Sequence, residues 1–350
     1  MTGALRVVAP GLMTTVQDLG RRGYQHLGVP VSGALDHVSL RAANLLVGNP
    51  AGTAALEIFY QGPTLAVEAD SVRIALAGGA APIDILAPDG GSRRLAAFES
   101  ARLVRGERLR IGPLTGSASA YLAVEGGFAI PPVLGSLSTL TRGGIGGFEG
   151  RALRSGDVLP LRLGAAPERE EIMLPPLHLA PPKRIRVVPG PQEDYFTPAG
   201  RATLLETTYT VSQASDRMGM RLDGPRLEHS EKGYNIVSDG TAPGSIQVPG
   251  NGLPIILLAD RQTTGGYPKI ATVISADLPA LGRMMPGSRI AFAAVEIEAA
   301  EAAARELEAE IAALPSQIAP ARRTAAIDEA RLLAENLVSG VVSASDPGPA

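Results

Sequence analysis

The chain has 350 residues, which is long for a single domain and predicts two compact units. Its 32 basic and 35 acidic residues form no basic block, which argues against nucleic acid or an anionic membrane as a partner. The absence of cysteine excludes disulfides, thiolate nucleophiles and cysteine-based metal sites. Because the N-terminus does not resemble a signal peptide and no apolar run approaches the ~20 residues of a membrane span, we expect a cytoplasmic protein.

Short β-branched runs bounded by glycine and proline predict a mainly β protein with some α structure. In chain order these runs are VRIALAG (72–78), ARLVRGERLRIG (101–112), SAYLAVEGG (119–127), IRVV (185–188), GSIQV (244–248), PIILLAD (254–260), KIATVIS (269–275) and SRIAFAAV (288–295). Many short strands at this spacing favour barrels or sandwiches. One early helix is also predicted, with Asp36 capping its start and Gly48-Asn49-Pro50 ending it.

The proline content divides the chain into two halves. Residues 164–183 contain five prolines without periodicity, and similar runs, RVVAPG (6–11) and RVVPGP (186–191), open the segments on either side. From Ala294 an Ala/Glu-rich composition predicts a helical hairpin, with a possible role in self-association. The predicted division is a first β-barrel domain at 1–165, a linker at 166–183, a second β-barrel domain at 184–293, the hairpin at 294–340 and a disordered tail at 341–350.

The segment ADRQTTGGYPKIATV (259–273) concentrates polar groups between two apolar runs. We predict that one strand ends at Asp260 and the next begins at Lys269, with a loop at the rim of a barrel between them. The Gly265-Gly266 pair would let the backbone take positive φ and approach a ligand closely. The alternative is a polar hairpin turn whose side chains only cap backbone groups. The candidate site residues from this segment are Asp260, Gln262, Thr264, Gly265, Gly266, Tyr267 and Lys269.

Further candidates lie outside that segment. In YTVSQASDRMGMRLDGP (209–225), Arg217 and Arg221 near Asp216 suit recognition of a planar anion, although Asp216 and Arg217 could equally pair to stabilise a loop. The Gln247 amide could bond to a ligand. A polar, glycine-punctuated loop at 14–36 is either part of a site or a structural lining.

Several familiar chemistries have no motif in this sequence. It has no Walker-type phosphate loop and no G-x-S-x-G nucleophile motif. Its four histidines lack metal-ligand spacing, so we expect no metal site. No Met-Lys-Met biotin-attachment sequence occurs, so we expect no covalently bound cofactor, and any biotin would be carried by another protein.

Seven motifs, in this order, resemble the KipA family, also called the allophanate hydrolase subunit 2 or biotin-dependent carboxyltransferase family. They are TTVQDLGRRGYQHLGVPVSGALD, AALEIFYQGPTL, GSLSTLTRGGIGGFEGRALRSGD, VVPGPQEDYF, SDRMGMRLDGP, PGSIQVPGNGLPIILLADRQTTGGYPKIATV and ISADLPALGRMMPG. The resemblance covers about residues 5–293. It implies two cyclophilin-like β-barrel domains and a function in a hetero-oligomer with two further proteins, a KipI-like B-type subunit and a lactam-handling A-type subunit.

The family includes the C-type subunit of bacterial ATP-dependent 5-oxoprolinase, which opens 5-oxoproline to glutamate, with ATP used by the complex. In such a complex Lys269 or Arg217 would neutralise developing negative charge and Asp260 would orient the substrate or accept a proton. Gln247 and Gln262 would read the amide of a small anionic lactam. One alternative is a carboxyltransferase that takes carboxybiotin from a separate carrier and acts on urea or a related amide. Another is a non-catalytic regulator that binds a KipI-like kinase inhibitor.

Overall fold

The computed structural model describes residues 3–177 and 179–321, which form a mainly β protein with four α-helices in that part of the chain. The strands of the first domain are β1 (Ala4–Ala9), β2 (Met13–Gln17), β3 (Ala55–Phe59), β4 (Thr64–Val67), β5 (Ser71–Ala80), β6 (Ile83–Leu86), β7 (Ser92–Leu95), β8 (Ser100–Val104), β9 (Arg108–Ile111), β10 (Thr115–Val124) and β11 (Val158–Pro160). They form two antiparallel sheets, ordered β11-β1-β4-β9-β6-β7 and β2-β3-β10-β5-β8. Alternating apolar residues of both sheets, such as Leu65 and Val67 on β4, enclose a single core.

The predicted early helix is confirmed as α1 (His37–Leu46). The side chain of Asp36 accepts hydrogen bonds from the backbone N–H groups of Val38 (3.1 Å) and Ser39 (3.2 Å), which have no partner within the helix. The apolar face of α1 packs on the five-stranded sheet, where Tyr121 of β10 is fully buried. The helix thereby fixes the position of Asp36 at the edge of the first domain.

The second domain is a closed barrel. The strands that follow the first domain are β12 (Ile172–Met173), β13 (Ile185–Pro189), β14 (Thr208–Val211), β15 (Gly219–Asp223), β16 (Asp239–Gly240), β17 (Ser245–Gln247), β18 (Ile255–Leu257), β19 (Thr264–Gly265), β20 (Lys269–Val273) and β21 (Arg289–Ala294). Seven of them close in the order β13-β20-β17-β18-β15-β14-β21, and a parallel pairing of β13 with β21 completes the ring. Two helices accompany the barrel, α2 (Pro198–Glu206) and α3 (Leu278–Arg283).

The polar segment between β18 and β20 differs in part from its prediction. Lys269 begins β20 as predicted, but β18 ends at Leu257 rather than at Asp260. Beyond Leu257 the backbone N–H groups bond to carbonyls of Met218 and Arg217, which lie outside β15, so the regular ladder stops. The residues before Lys269 are not a plain loop either, because β19 pairs with β16 in a small ribbon.

The C-terminal part of the described chain packs back on the first domain. Helix α4 (Ile297–Ala313) is the first arm of the predicted hairpin, whereas the second arm and the tail at 341–350 lie outside the described residues. Ile311 of α4 is buried in the cluster around α1, and Arg41 of α1 contacts Glu308 at 2.8 Å. Strand β22 (Ala319–Pro320) pairs with β12. Within the described residues no helix has the length and apolar character to span a membrane.

Candidate functional site

The predicted site residues fall into two groups, of which the first lies between the domains around Arg217. This side chain is 6% exposed and donates to Asp260 through two nitrogens, Nε to Oδ2 at 2.8 Å and Nη2 to Oδ1 at 3.1 Å. From the first domain, Glu57 accepts a hydrogen bond from Nη1, and the carbonyl of Gly33 accepts one from Nη2 at 2.7 Å. Arg217 therefore joins both domains through one guanidinium group.

The network continues into the first domain through Glu57, which is fully buried on β3. The hydroxyl of Tyr121 donates to Glu57 Oε2 at 2.5 Å and accepts from the backbone N–H of Asp36 at 2.9 Å. Burial raises the pKa of Tyr121 well above its ordinary value, and the charges of Glu57 and Asp36 raise it further. The phenol therefore stays a hydrogen-bond donor. We call Asp36, Glu57, Tyr121, Arg217 and Asp260 the interdomain cluster.

In the interdomain cluster the positive charge is compensated within the chain. Burial alone would lower the pKa of Arg217, but the carboxylates of Glu57 and Asp260 outweigh it and raise that pKa. Arg217, which was predicted to neutralise negative charge on a substrate, thus already pairs with two carboxylates of the chain. Arg217 also borders an apolar cavity of 130 Å³ whose lining includes Met13, Met220 and Met284.

The second group lies at the end of the second barrel where β17 ends and β20 begins. Lys269 is 2% exposed, and its Nζ donates to Asp239 Oδ2 at 2.7 Å and to the Gly240 carbonyl at 3.1 Å. Hydrogen bonds from Lys269, and then from Gln192 at 3.2 Å, hold the pKa of Asp239 below its usual range. A buried ammonium group is thus paired with a carboxylate whose side chain is 51% exposed.

Two amide side chains stand beside this pair. Gln262 Nε2 donates to Gln247 Oε1 at 3.0 Å, and Gln247 lies opposite Lys269 in the pairing of β17 with β20. Gly265 passes directly over the two amides, because a Cβ at this position would collide with the Gln247 amide nitrogen. Neither Gly265 nor Gly266 has the positive φ that was predicted, and the approach of Gly265 is to side chains of its own barrel, so the predicted approach to a ligand stays a prediction. We call Gln192, Asp239, Gln247, Arg261, Gln262, Gly265 and Lys269 the barrel-rim cluster.

Arg261 belongs to this cluster and was not among the predicted site residues. It is 2% exposed, and among the described residues its nitrogens bond to the backbone carbonyls of Thr241 and Leu258, at 3.3–3.4 Å. Burial lowers the pKa of Arg261 to about 10. The sequence gives no signal of this burial, because Arg261 follows Asp260 directly in a polar segment.

Other cluster members were also missed, although the motifs contain them. Glu57 lies in AALEIFYQGPTL and Gln192 in VVPGPQEDYF, both of which carry the family resemblance. Their place in these motifs was the one signal in the sequence that could have identified them. Their partners could not be inferred, because Arg217 is 160 residues from Glu57 and Lys269 is 77 residues from Gln192.

The side chains of the remaining predicted residues lie in neither cluster. Asp216 pairs with the exposed Arg142 of the first domain at 3.1 Å rather than with Arg217. Arg221, Thr264 and Tyr267 are exposed. Gly266 contributes its carbonyl, which accepts a hydrogen bond from the backbone N–H of Ile236. The structure thus separates Asp260 and Arg217 from Gln247, Gln262 and Lys269, and the catalytic or binding role of each stays a prediction.

Comparison with known proteins identifies the class to which this fold and these clusters belong. Residues 27–294 match the family described as carboxyltransferase domain, subdomain A and B, and the chain belongs to this family. It is 39% identical over 297 residues to the C-type subunit of 5-oxoprolinase from Escherichia coli strain K12, a match that spans 85% of this chain and 93% of that protein.

Urea amidolyases are similar over a smaller part of their own length. The Saccharomyces cerevisiae enzyme is 33% identical over 316 residues, which are 84% of this chain but 17% of that protein. The crystal structure of the K. lactis urea amidolyase superposes with a TM-score of 0.79 at 30% identity, covering 91% of this chain and 21% of that one. These comparisons confirm both the family resemblance drawn from the motifs and the predicted fold class.

Proposed function

We propose that the chain is the C-type subunit of an ATP-dependent 5-oxoprolinase, which converts 5-oxoproline, ATP and water to glutamate. It would act with a KipI-like B-type subunit and a lactam-handling A-type subunit. The observation that carries the proposal is the match to the Escherichia coli protein of that name, which extends over 93% of that protein's length. A relative that is matched over nearly its whole length is a better guide to function than one that is matched over about a fifth of its length.

The barrel-rim cluster is the part of the chain best suited to such a substrate. 5-Oxoproline presents a lactam N–H, a lactam carbonyl and a carboxylate. The Gln247 and Gln262 amides provide both donors and acceptors, and Lys269 provides a buried positive charge. A positive charge fixed in a buried site stabilises negative charge that develops on a carbonyl oxygen more strongly than it would in water. In this proposal Lys269 has that role and the two glutamines orient the lactam.

Asp260 and Arg217 have a different part in the proposal. Because each neutralises the other in the interdomain cluster, they hold the second domain against the first rather than transfer protons. The fixed arrangement supports the barrel rim, since Asp260 directly precedes the segment that carries Arg261 and Gln262.

The test is reconstitution of the full complex. The chain is co-expressed with the proteins encoded beside its gene, purified as a complex, and assayed for glutamate and ADP from 5-oxoproline and ATP. We expect glutamate formation that requires all the proteins of the complex and stops when this chain is omitted. An assembled complex that forms no glutamate and hydrolyses no ATP in response to 5-oxoproline would refute the proposal.

A second candidate function is carboxyl transfer, which the family match and the urea amidolyase relatives favour. Carboxybiotin on a separate carrier protein would supply a carboxyl group already activated for transfer to urea or a related amide. The apolar cavity beside Arg217, with its three methionines, is of a kind that could hold the biotin ring. Avidin blotting of the purified complex separates the two functions, because only carboxyl transfer requires a biotinylated partner. Catalysis of either reaction by the complex would exclude the non-catalytic regulator.

A further inference from the structure

The barrel-rim cluster contains a buried positive charge that no carboxylate of the described residues balances. Five basic side chains of the described residues are buried, namely Arg21, Arg73, Arg217, Arg261 and Lys269. Arg73 and Arg217 each pair with two carboxylates, and Lys269 pairs with one. Arg21 and Arg261 have no carboxylate of residues 3–177 and 179–321 within ion-pair distance. A buried, unbalanced charge is destabilising and calls for a functional explanation.

Arg21 and Arg261 differ in their more distant surroundings. Burial lowers the pKa of Arg21, but the carboxylates of Asp18 and Asp260 are near enough to offset part of that effect. For Arg261, burial is the only cause of the lowered pKa. Arg261 is therefore the buried base whose charge is least compensated by the described part of the chain.

The contacts of Arg261 leave part of its donor capacity unused. Its three hydrogen bonds go to the Thr241 and Leu258 carbonyls at 3.3–3.4 Å, beyond the usual range for N–H···O bonds. A guanidinium group has five N–H donors in a planar fork, which matches a carboxylate or a phosphate better than it matches single carbonyls. The group is thus suited to bind an oxyanion.

Arg261 and Lys269 converge on the same short piece of backbone. Lys269 Nζ donates to the Gly240 carbonyl, and Arg261 donates to the carbonyl of the next residue, Thr241. The two cations therefore approach one dipeptide, whose only carboxylate neighbour in the cluster is Asp239. Because Asp239 and Gly240 are exposed, displacement of the Asp239 carboxylate would give an anion from solvent access to Lys269.

We propose that the barrel-rim cluster binds a small oxyanion, a carboxylate or a phosphate, between Arg261 and Lys269, and that the Asp239 carboxylate competes with it for Lys269. The inference rests on the site proposed above but not on the reaction, since anion binding is measurable without turnover. It gives Arg261 the role of recognising the anionic group of the substrate or of a phosphorylated form of it.

The experiment measures binding of inorganic phosphate and of 5-oxoproline, in separate titrations at low ionic strength, to the full chain by isothermal titration calorimetry. The variants are Arg261→Gln and Asp239→Asn. The matched controls are Arg289→Gln and Asp223→Asn, which change exposed residues on strands of the same barrel. The two titrations distinguish the sources of the oxyanion, because 5-oxoproline carries only a carboxylate.

We expect Arg261→Gln to weaken binding about tenfold or more, the effect of removing a charge-assisted hydrogen bond. Asp239→Asn should tighten binding, by about threefold or more, because it removes the competing charge while keeping the side-chain shape. Both controls should bind like the unchanged chain.

Two results of the titrations would overturn the inference. One is the absence of binding of either anion by both the unchanged chain and Asp239→Asn. The other is an Asp239→Asn variant that binds no more tightly than the control Asp223→Asn. Because the Asp239 side chain is half exposed, we expect this variant to fold, so it tests the inference even where Arg261→Gln fails to fold. Anion binding as expected, together with a reconstituted complex that forms no glutamate, would refute the proposed function alone. Turnover with an unchanged KM in Arg261→Gln would refute this inference alone.

Discussion

The interdomain cluster and the barrel-rim cluster are both supplied by the same polar segment after β18, yet they treat charge in opposite ways. At the domain interface, Arg217 faces two carboxylates that are themselves buried, Glu57 and Asp260. At the barrel rim, Lys269 pairs with one half-exposed carboxylate, and Arg261 has no carboxylate of the described residues within ion-pair distance. The first arrangement is complete within the chain, whereas the second has capacity for an outside anion. Both clusters contain the same types of charged residue. The degree to which those charges are paired therefore distinguishes the structural cluster from the candidate binding site.

The largest effect should come from breaking the interdomain cluster. Arg217→Met would leave the carboxylates of Glu57 and Asp260 buried without their common partner. Removing one member of a buried ion pair typically destabilises a protein by about 3–5 kcal/mol, and we expect a loss of that size in urea unfolding. The control is Arg142→Met, which removes the exposed interdomain pair with Asp216 and should lose about 0–1 kcal/mol. Equal losses in both variants would mean that the buried cluster does not hold the domains together.

A change at the barrel rim should instead affect catalysis. Lys269→Met in the reconstituted complex removes the buried positive charge but leaves Asp239 half exposed and hydrated, so the fold should be retained. Loss of one group that stabilises developing charge typically lowers kcat about 10²–10³-fold, and we expect that decrease in glutamate formation. Lys232→Met, which breaks an exposed pair with Asp194, is the control and should leave kcat unchanged. A Lys269→Met complex with an unchanged rate would remove the rim from the chemistry.

The sequence predicted the elements of both clusters better than their contacts. The short β-branched runs predicted most barrel strands, whereas the positive φ expected of the Gly265-Gly266 pair is absent. The separation of Asp260 from Lys269 was not predictable, because strand β18 ends three residues early and Asp260 then pairs with Arg217. Nor was the pairing of Arg217 with Glu57, since the two residues are 160 positions apart in the sequence and lie in different domains. Local patterns predict local structure, whereas ion pairs across a domain interface depend on the packing of the whole chain.

A smaller change tests whether the interdomain cluster is a connected network. Tyr121→Phe deletes one hydroxyl, which leaves the Asp36 backbone N–H without its buried partner and removes one of the donors to the Glu57 carboxylate, which keeps Arg217 and the backbone N–H of Leu35. We expect a loss of about 1–3 kcal/mol in the free energy of unfolding. Tyr234→Phe, at a residue that is 48% exposed, should change the stability by less than about 0.5 kcal/mol. If Tyr121→Phe were as mild as this control, Arg217 would be held by its ion pairs alone.

The smallest effect concerns the only carboxylate of the barrel-rim cluster and its dependence on pH. The pKa of Asp239 is lowered, first by its hydrogen bond with Lys269 and then by that with Gln192. A carboxyl group whose pKa is lower in the folded state stabilises the protein above its unfolded pKa, about 3.9 for aspartate, and this contribution is lost as the pH falls through the lower, folded value. The stability difference between the unchanged chain and Asp239→Asn should therefore be constant above about pH 5 and shrink below about pH 4 in urea unfolding. Salt should reduce it, because the carboxylate is half exposed and screened. A difference that grew on acidification would mean that Lys269 does not favour the ionised form of Asp239, and the rim would then lack the competition on which the proposed anion site depends.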